Sequence, residues 1–195
     1  VGRWWFAVLI IPAVTALTPV LRLATGHPVD TATMLGSLVP GIVVGLVAGF
    51  MEELGWRGFL LPHMLKKYSP LTGTLLLGII WGGVWHGYAD YFGLGDKGWA
   101  AVLLIALLGP VLLTAWSLII TWVYENTQGS LLLSIFMHAS ISSSALIFGQ
   151  KYTTTGEEIA WTAISVGLAC LAAALIWLFV RRPDINAGER PKTIR

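Results

Sequence analysis

Three charged side chains stand together in an apolar stretch, in the run EELGWR at residues 52–57. Glu53 and Arg57 are four residues apart, so on a helix they share a face and can form an ion pair with the carboxylate leading. Glu52 is turned about 100° from Glu53 on the same helix, so its carboxylate can point at a neighbouring helix. The spacing predicts a supporting ion pair beside a candidate general base.

An alternative interpretation is a self-neutralising patch at the end of a membrane span. The apolar run GFLL at 58–61 continues past the charges, which favours burial. Gly55 and Gly58 are expected to let a second helix approach closely. We therefore favour a buried site.

Two histidines lie in other apolar stretches, His86 and His138, and Ser142 follows one helical turn after His138. An ionisable residue inside a membrane helix costs roughly 2.5 to 3.5 kcal/mol on insertion scales, so a partner is expected. Imidazole can carry protons, donate to an oxyanion or bind a metal. We expect Glu52 and both histidines to converge, with Asp90 as a more peripheral candidate. Three tryptophans flank these residues and are expected to exclude water: Trp56, Trp81 and Trp85.

The remaining polar residues are interpreted as structural. His27 and His63 stand beside prolines and are expected in solvent, and Glu157 and Glu158 are expected to be a solvated helix start. The single cysteine, Cys170, cannot form an intrachain disulfide and is expected to pack against a helix or lipid.

The elements that position these residues follow from composition. The 195 residues are 56% hydrophobic and only 11% charged, with a mean hydropathy of +0.76, which is far more apolar than a soluble domain. About 20 apolar residues cross a bilayer as a helix, and lipid cannot satisfy open backbone groups. The sequence predicts an all-α polytopic transmembrane bundle of about six spans: 4–21, 35–61, 71–92, 99–124, 130–148 and 159–180.

The lysines and arginines are distributed unequally across these spans. Nine of the twelve lie on the side of both termini, which predicts that both termini are cytoplasmic. The positive tail, the small number of spans and the ten tryptophans favour a prokaryotic plasma membrane. We expect an integral membrane domain over 1–182 and a polar cytoplasmic tail over 183–195. Because the chain starts with Val1 rather than Met, an upstream segment is also expected.

The net charge bears on partners. A formal charge of +2, with no basic run interleaved with aromatics, gives no support for a nucleic-acid partner. The partner that composition does predict is the lipid bilayer.

The pattern EExxxR, followed by a histidine in the next span and another two spans later, resembles the CPBP family of intramembrane proteases. That family includes type II CAAX prenyl endopeptidases and bacterial bacteriocin-processing or immunity relatives. The resemblance covers about 43–146. The family motif FxxxH has Gly82 at its first position here, with Trp81 adjacent, and the motif HxxxN has Ser142 at its last.

The resemblance implies hydrolysis of a peptide bond in a membrane-associated peptide or protein. Glu52 and His86 would activate a water, and His138 with Ser142 would stabilise the tetrahedral oxyanion. Glu53 and Arg57 would support them.

A metal is a second implication of the resemblance. Glu52, His86 and His138 are candidate zinc ligands with an open fourth position for water. The chain has no His-Glu-x-x-His pair, so zinc is not demanded. A metal-held water and a carboxylate-held water both stay open.

Two non-hydrolytic functions are the alternatives. One is a bacteriocin-immunity or scaffold protein, and the other is a proton-coupled transporter that uses Glu52 and the histidines as a relay. A transporter is expected to show interrupted helices in repeated halves. The sequence shows no such symmetry, which favours the endopeptidase.

Overall fold

The protein is described by a computed structural model covering residues 2–87 and 98–179. Helices and short turns make up the described residues, with no strand among them. The helices follow one another along the chain: a 3-10 helix Gly2–Leu9 leading into α1 (Ile10–Ala24), α2 (Thr31–Gly36), α3 (Leu38–Gly55), α4 (Leu61–Leu65), α5 (Pro70–Ile79), α6 (Trp99–Asn126), α7 (Leu131–Phe148) and α8 (Thr155–Phe179). Two π-helical segments, Trp56–Leu60 and Ile80–His86, follow α3 and α5.

The predicted all-α polytopic bundle is confirmed. Five helical stretches in the described residues are long and apolar enough to cross a membrane: Trp4–Ala24, Leu38–Leu65, Ala106–Asn126, Leu131–Phe148 and Thr155–Phe179. The protein is therefore an integral membrane protein. The expected span at 71–92 begins as α5 and its π-helical segment, and its end lies outside the described residues, as does Asp90.

Helix starts follow from local sequence. Ser69 accepts a hydrogen bond from the backbone N–H of Thr72, and Pro70 occupies the first turn of α5. Ser130 caps α7 in the same way. A side-chain oxygen before a helix satisfies a donor that the first turn leaves unpaired, so these short polar breaks set where the spans begin.

The tightest helix pair is α3 against α7. A Cβ atom added at Gly49 would lie 2.5 Å from the backbone oxygen of Ile135, and Gly45 is equally crowded by α7. Such contact needs glycine, as is common between membrane helices. The expectation that Gly55 provides close approach is wrong, since nothing lies within 4 Å of a Cβ placed there. Gly58 makes only ordinary contact with Leu131.

The core surrounds the middle of α6, which packs against α5, α7 and α8. Ile119 and Met137 are fully buried there, together with Trp81 and Leu133. Large apolar side chains such as Val39 and Leu178 are more than 70% exposed on the outer faces of the bundle. Apolar residues on both the core and the outer faces are expected when lipid is the solvent.

The end of the bundle where α1 stops and α8 starts contains a buried arginine. Arg22 is 1% exposed and pairs with Glu157 at 2.9 Å. Its guanidinium also lies 5.1 Å from the rings of Tyr152 and Trp161. Glu157 does accept hydrogen bonds from Thr153 as a helix start should, but the expectation that it is merely solvated is wrong. The exposed positions expected for His27 and His63 are confirmed.

Candidate active site

The centre of the site is a buried carboxylate, Glu53. Its Oε1 atom accepts a 2.7 Å hydrogen bond from Nη1 of Arg57, and both side chains have no exposed surface. The same oxygen lies 2.7 Å from Nδ1 of His138. Arg57 also donates from Nη2 to the hydroxyl of Ser117 on α6, at 2.8 Å. The predicted i,i+4 pair is thus present, and it joins α3, α6 and α7.

Two atoms of this cluster are unsatisfied among the described residues. Oε2 of Glu53 and Nε of Arg57 are buried and have no hydrogen-bond partner there. Buried charges cost free energy unless they are paired and hydrogen-bonded. The mutual pairing of Glu53 and Arg57 is therefore what makes this burial tolerable.

Glu52 lies on the neighbouring face and is held by two indoles. Its Oε2 atom accepts hydrogen bonds from Nε1 of Trp56 at 3.0 Å and Nε1 of Trp81 at 2.9 Å. Hydrogen bonds to a charged acceptor are stronger than neutral ones. Trp81 also lies against both imidazoles, with ring-centre distances of 5.9 Å to His86 and 4.9 Å to His138.

The two histidines converge on Glu52 as the sequence predicts. Nε2 of His86 lies 4.0 Å from Oε2 of Glu52, and Nε2 of His138 lies 3.9 Å from the same oxygen. The side chain of His138 is 2% exposed, whereas those of His86 and Glu52 are 32% and 18% exposed. Three separate helical segments thus bring one carboxylate and two imidazoles to one point.

Both π-helical segments coincide with the site. One begins at Trp56 and contains Arg57, and the other contains Trp81 and ends at His86. π-Helical turns are rare and are frequent at functional sites. A wider turn changes the direction in which successive side chains point, so a strict 3.6-residue period is a poor guide to their orientation here.

Gly82 stands where the family motif has phenylalanine, and steric crowding explains why a glycine is needed there. A Cβ atom there would lie 2.6 Å from Cα of Pro110 on α6. The backbone of the π-helical segment therefore packs directly on α6. The buried aromatic ring at this level comes from the adjacent Trp81 instead.

A cavity of about 700 Å³ opens from the site. Trp81, His86 and His138 line it, and so does Ser142, one turn beyond His138. Side chains of α1, α6 and α8 complete the wall, which is mainly apolar. The space could hold several residues of an extended chain beside His86 and His138, whose Nε2 atoms lie 3.9–4.0 Å from Oε2 of Glu52.

The fit of a zinc ion can be judged from the donor atoms. Tetrahedral zinc with bonds of about 2.0–2.1 Å holds its ligand atoms about 3.3 Å apart. The Nε2 atoms of His86 and His138 lie 4.0 and 3.9 Å from Oε2 of Glu52, and this oxygen already accepts two indole N–H groups. The described residues contain no group of three that could hold a metal. In this arrangement the three residues do not fit zinc, and chelation tests the zinc assignment that the resemblance implies.

Several contacts could not be read from the sequence. The link from Glu53 to His138 and the bond from Arg57 to Ser117 depend on helix rotations that periodicity alone does not set. A signal did exist for Trp81, since it stands five residues before a span histidine and could donate from its indole.

Fold and site together define a polytopic helical membrane protein whose polar centre is a glutamate–histidine cluster. The model of the family described as type II CAAX prenyl endopeptidase Rce1-like matches residues 34–144, more than half of the chain. The chain therefore belongs to this family. The matched region contains every residue of the cluster, whereas α1 and α8 lie outside it.

A curated relative is similar over most of the chain. The CAAX prenyl protease 2 of Methanococcus maripaludis is 25% identical over 187 residues, which cover 89% of this chain and 64% of the relative. This chain thus spans a little under two thirds of that relative's length.

Proposed function

We propose that this protein is an intramembrane endopeptidase that hydrolyses a peptide bond in a membrane-associated peptide or protein. The observation that carries the proposal is the convergence of Glu52, His86 and His138 within about 4 Å in an apolar interior. Ionisable residues inside a membrane domain mark function by default. Membership of a prenyl endopeptidase family supports the same conclusion.

Glu52 is the proposed general base. A water hydrogen-bonded at about 2.8 Å can bridge Oε2 of Glu52 and Nε2 of His86, since these atoms lie 4.0 Å apart. Glu52 takes a proton from this water while its oxygen attacks the scissile carbonyl carbon. The same proton then passes to the departing amine as the C–N bond breaks. His86 orients the water.

His138 is the proposed oxyanion donor. Glu53 accepts the Nδ1–H of the ring, which leaves Nε2 directed at the reaction centre. With a proton on Nε2 as well, the ring donates to the tetrahedral oxygen, and Glu53 offsets the imidazolium charge. Arg57 holds Glu53 in place, and the Ser142 hydroxyl is a second donor in the cavity.

The surroundings strengthen each of these interactions. Charge interactions grow as the effective dielectric constant falls, and oriented donors that need no rearrangement are the largest contribution in many enzymes. The indoles of Trp56 and Trp81 fix the Glu52 carboxylate. The site is thereby arranged before a substrate arrives.

The test is cleavage of a fluorescence-quenched peptide library by the purified full chain in detergent. Wild type, Glu52→Gln and His86→Ala are compared, with Glu158→Gln as a matched carboxylate outside the site. We expect cleavage by wild type and the control, and loss in both site variants. A zinc chelator is added in parallel, and persistence of cleavage is expected. An inactive, folded wild type would instead favour the immunity or scaffold alternative.

We also propose that both termini are cytoplasmic, with 1–182 as the membrane domain in a prokaryotic plasma membrane. The excess of Lys and Arg on the side of the termini supports this orientation, and the positive tail and the ten tryptophans suit a prokaryotic protein. In a Cys170→Ser background, Lys67→Cys is expected to resist an impermeant maleimide in intact cells, whereas Lys151→Cys is expected to react. The reverse labelling pattern would invert the topology.

A further inference from the structure

One wall of the cavity carries hydroxyl groups from α1 and α8. They belong to Thr15, Thr18 and Ser165, which line the same cavity as His86 and His138. These hydroxyls lie outside the region matched by the family. Membership of the family therefore does not account for these hydroxyls.

The hydrogens of all three hydroxyls are already used. Thr15 donates to the backbone oxygen of Ile11 at 2.8 Å, and Ser165 donates to that of Trp161 at 2.9 Å. The hydroxyls of Thr18 and Ser165 are 2.9 Å apart. Because a hydroxyl has one hydrogen and Ser165 has spent its own, Thr18 must be the donor of this pair. These three hydroxyls therefore have only acceptor lone pairs left to offer.

A peptide entering this cavity brings backbone N–H groups that lose their water. Each such donor costs free energy unless it meets an acceptor. The cavity wall is otherwise mainly apolar. The hydroxyl oxygens of Thr15, Thr18 and Ser165 are acceptors placed where those donors must go.

We propose that the α1–α8 wall binds the backbone N–H groups of the substrate and so positions the peptide against Glu52. This inference rests on the proposed function and deepens it. It makes Thr18 a positioning residue with no part in the chemistry. It also predicts selectivity, since a substrate residue without an N–H, such as proline, is disfavoured at the positions that face the wall.

The experiment measures binding, so it does not depend on turnover. A fluorescein-labelled apolar peptide is titrated with the full chain carrying Glu52→Gln, and the Kd is taken from anisotropy. A series of peptides replaces each amide in turn with an ester, which removes one N–H with little change in shape. The same series is then measured with the Glu52→Gln protein that also carries Thr18→Val. This change removes the donor of the Thr18–Ser165 pair and leaves the bond from Ser165 to Trp161 in place.

Thr74→Val is the matched control. Thr74 is buried and bonds to the carbonyl four residues earlier, as Thr15 does, but it is on α5 and does not line the cavity. We expect one or two esters to raise Kd about fivefold, the fold-change for one net hydrogen bond. Every penalty should persist with Thr74→Val. With Thr18→Val at least one of them should vanish, because that change removes one of the three acceptors.

Three results would overturn the inference. They are an ester series with no penalty at any position, a set of penalties that all survive Thr18→Val, and a peptide that does not bind the Glu52→Gln protein. None of them depends on catalysis. Conversely, a clear ester penalty with an inactive wild type would refute the endopeptidase while leaving the peptide-binding wall in place.

Discussion

Removing the charge of Arg57 is expected to destabilise the protein far more than removing the charges of Arg57 and Glu53 together. Arg57→Met keeps much of the side-chain volume but leaves the Glu53 carboxylate buried with His138 as its neighbour. Both partners are fully buried, and one oxygen of Glu53 has no partner among the described residues. The second variant, Glu53→Gln with Arg57→Met, removes both charges.

The magnitude follows from the burial. Breaking a buried pair by removing one partner costs about 3–5 kcal/mol. One kcal/mol lowers the Tm by about 2–4 °C for a chain of this size, so the single variant should lose roughly 6–20 °C. A buried pair replaced as a whole costs little, and the amide oxygen introduced by Glu53→Gln can still accept the Nδ1–H of His138. The double variant should therefore recover at least half of the loss.

The assay is thermal unfolding by circular dichroism in one detergent for all variants. Lys151→Met is the control, because its ion pair with Asp30 is 3.4 Å long and the lysine is 81% exposed. An exposed pair contributes little, so its Tm should change by less than about 2 °C. Equal Tm values for the single and double variants would refute the reasoning that Arg57 compensates Glu53.

Three further changes probe other parts of the structure. Gly49→Ala should lower the free energy of unfolding by about 1–3 kcal/mol and the cleavage rate at least tenfold, because its Cβ meets the α7 backbone at 2.5 Å. Gly55→Ala is the control, and equal stability and cleavage rate in the two variants would contradict this. Trp81→Phe removes an indole donor to Glu52 and should lower kcat/KM about tenfold in a folded protein, and unchanged kinetics would be the contrary result. Glu157→Gln leaves the buried Arg22 without its counter-ion and should lower the Tm by several degrees. An unchanged Tm would show that the carbonyl of Pro28 and the two rings suffice.

Part of the site could be predicted because lipid allows few alternatives. Charged residues inside a span must face the protein interior, so Glu52, His86 and His138 had to approach one another if the spans packed together. The pairing of Glu53 with Arg57 needed only helix geometry. These expectations did not require knowledge of how each helix is rotated.

The contacts that depend on rotation could not be predicted. Ser117 reaches Arg57 only because α6 turns that face toward the cluster. The bond from Trp81 to Glu52 likewise joins two helices, so helix periodicity could not place it. Trp56, in contrast, lies four residues after Glu52 and shares its helix face.

The sequence contained a signal for the close contact of α3 with α7, but it lay in other glycines than the ones that were chosen. Gly41, Gly45 and Gly49 repeat every four residues, which is the spacing of a close membrane-helix contact, and α7 packs on this face. Gly55 was the wrong choice because it faces open space. The burial of Arg22 was missed for another reason, since its partner Glu157 is far away in sequence and only the meeting of α1 with α8 joins them.

The most direct test of the central claim is peptide cleavage in water enriched in oxygen-18, followed by mass spectrometry of the fragments. Hydrolysis by a Glu52-held water predicts one heavy oxygen in the new carboxyl group with wild type, and no fragments with Glu52→Gln. Unlabelled fragments would show that water is not the nucleophile. Labelled fragments formed equally fast by Glu52→Gln would show that Glu52 does not activate it.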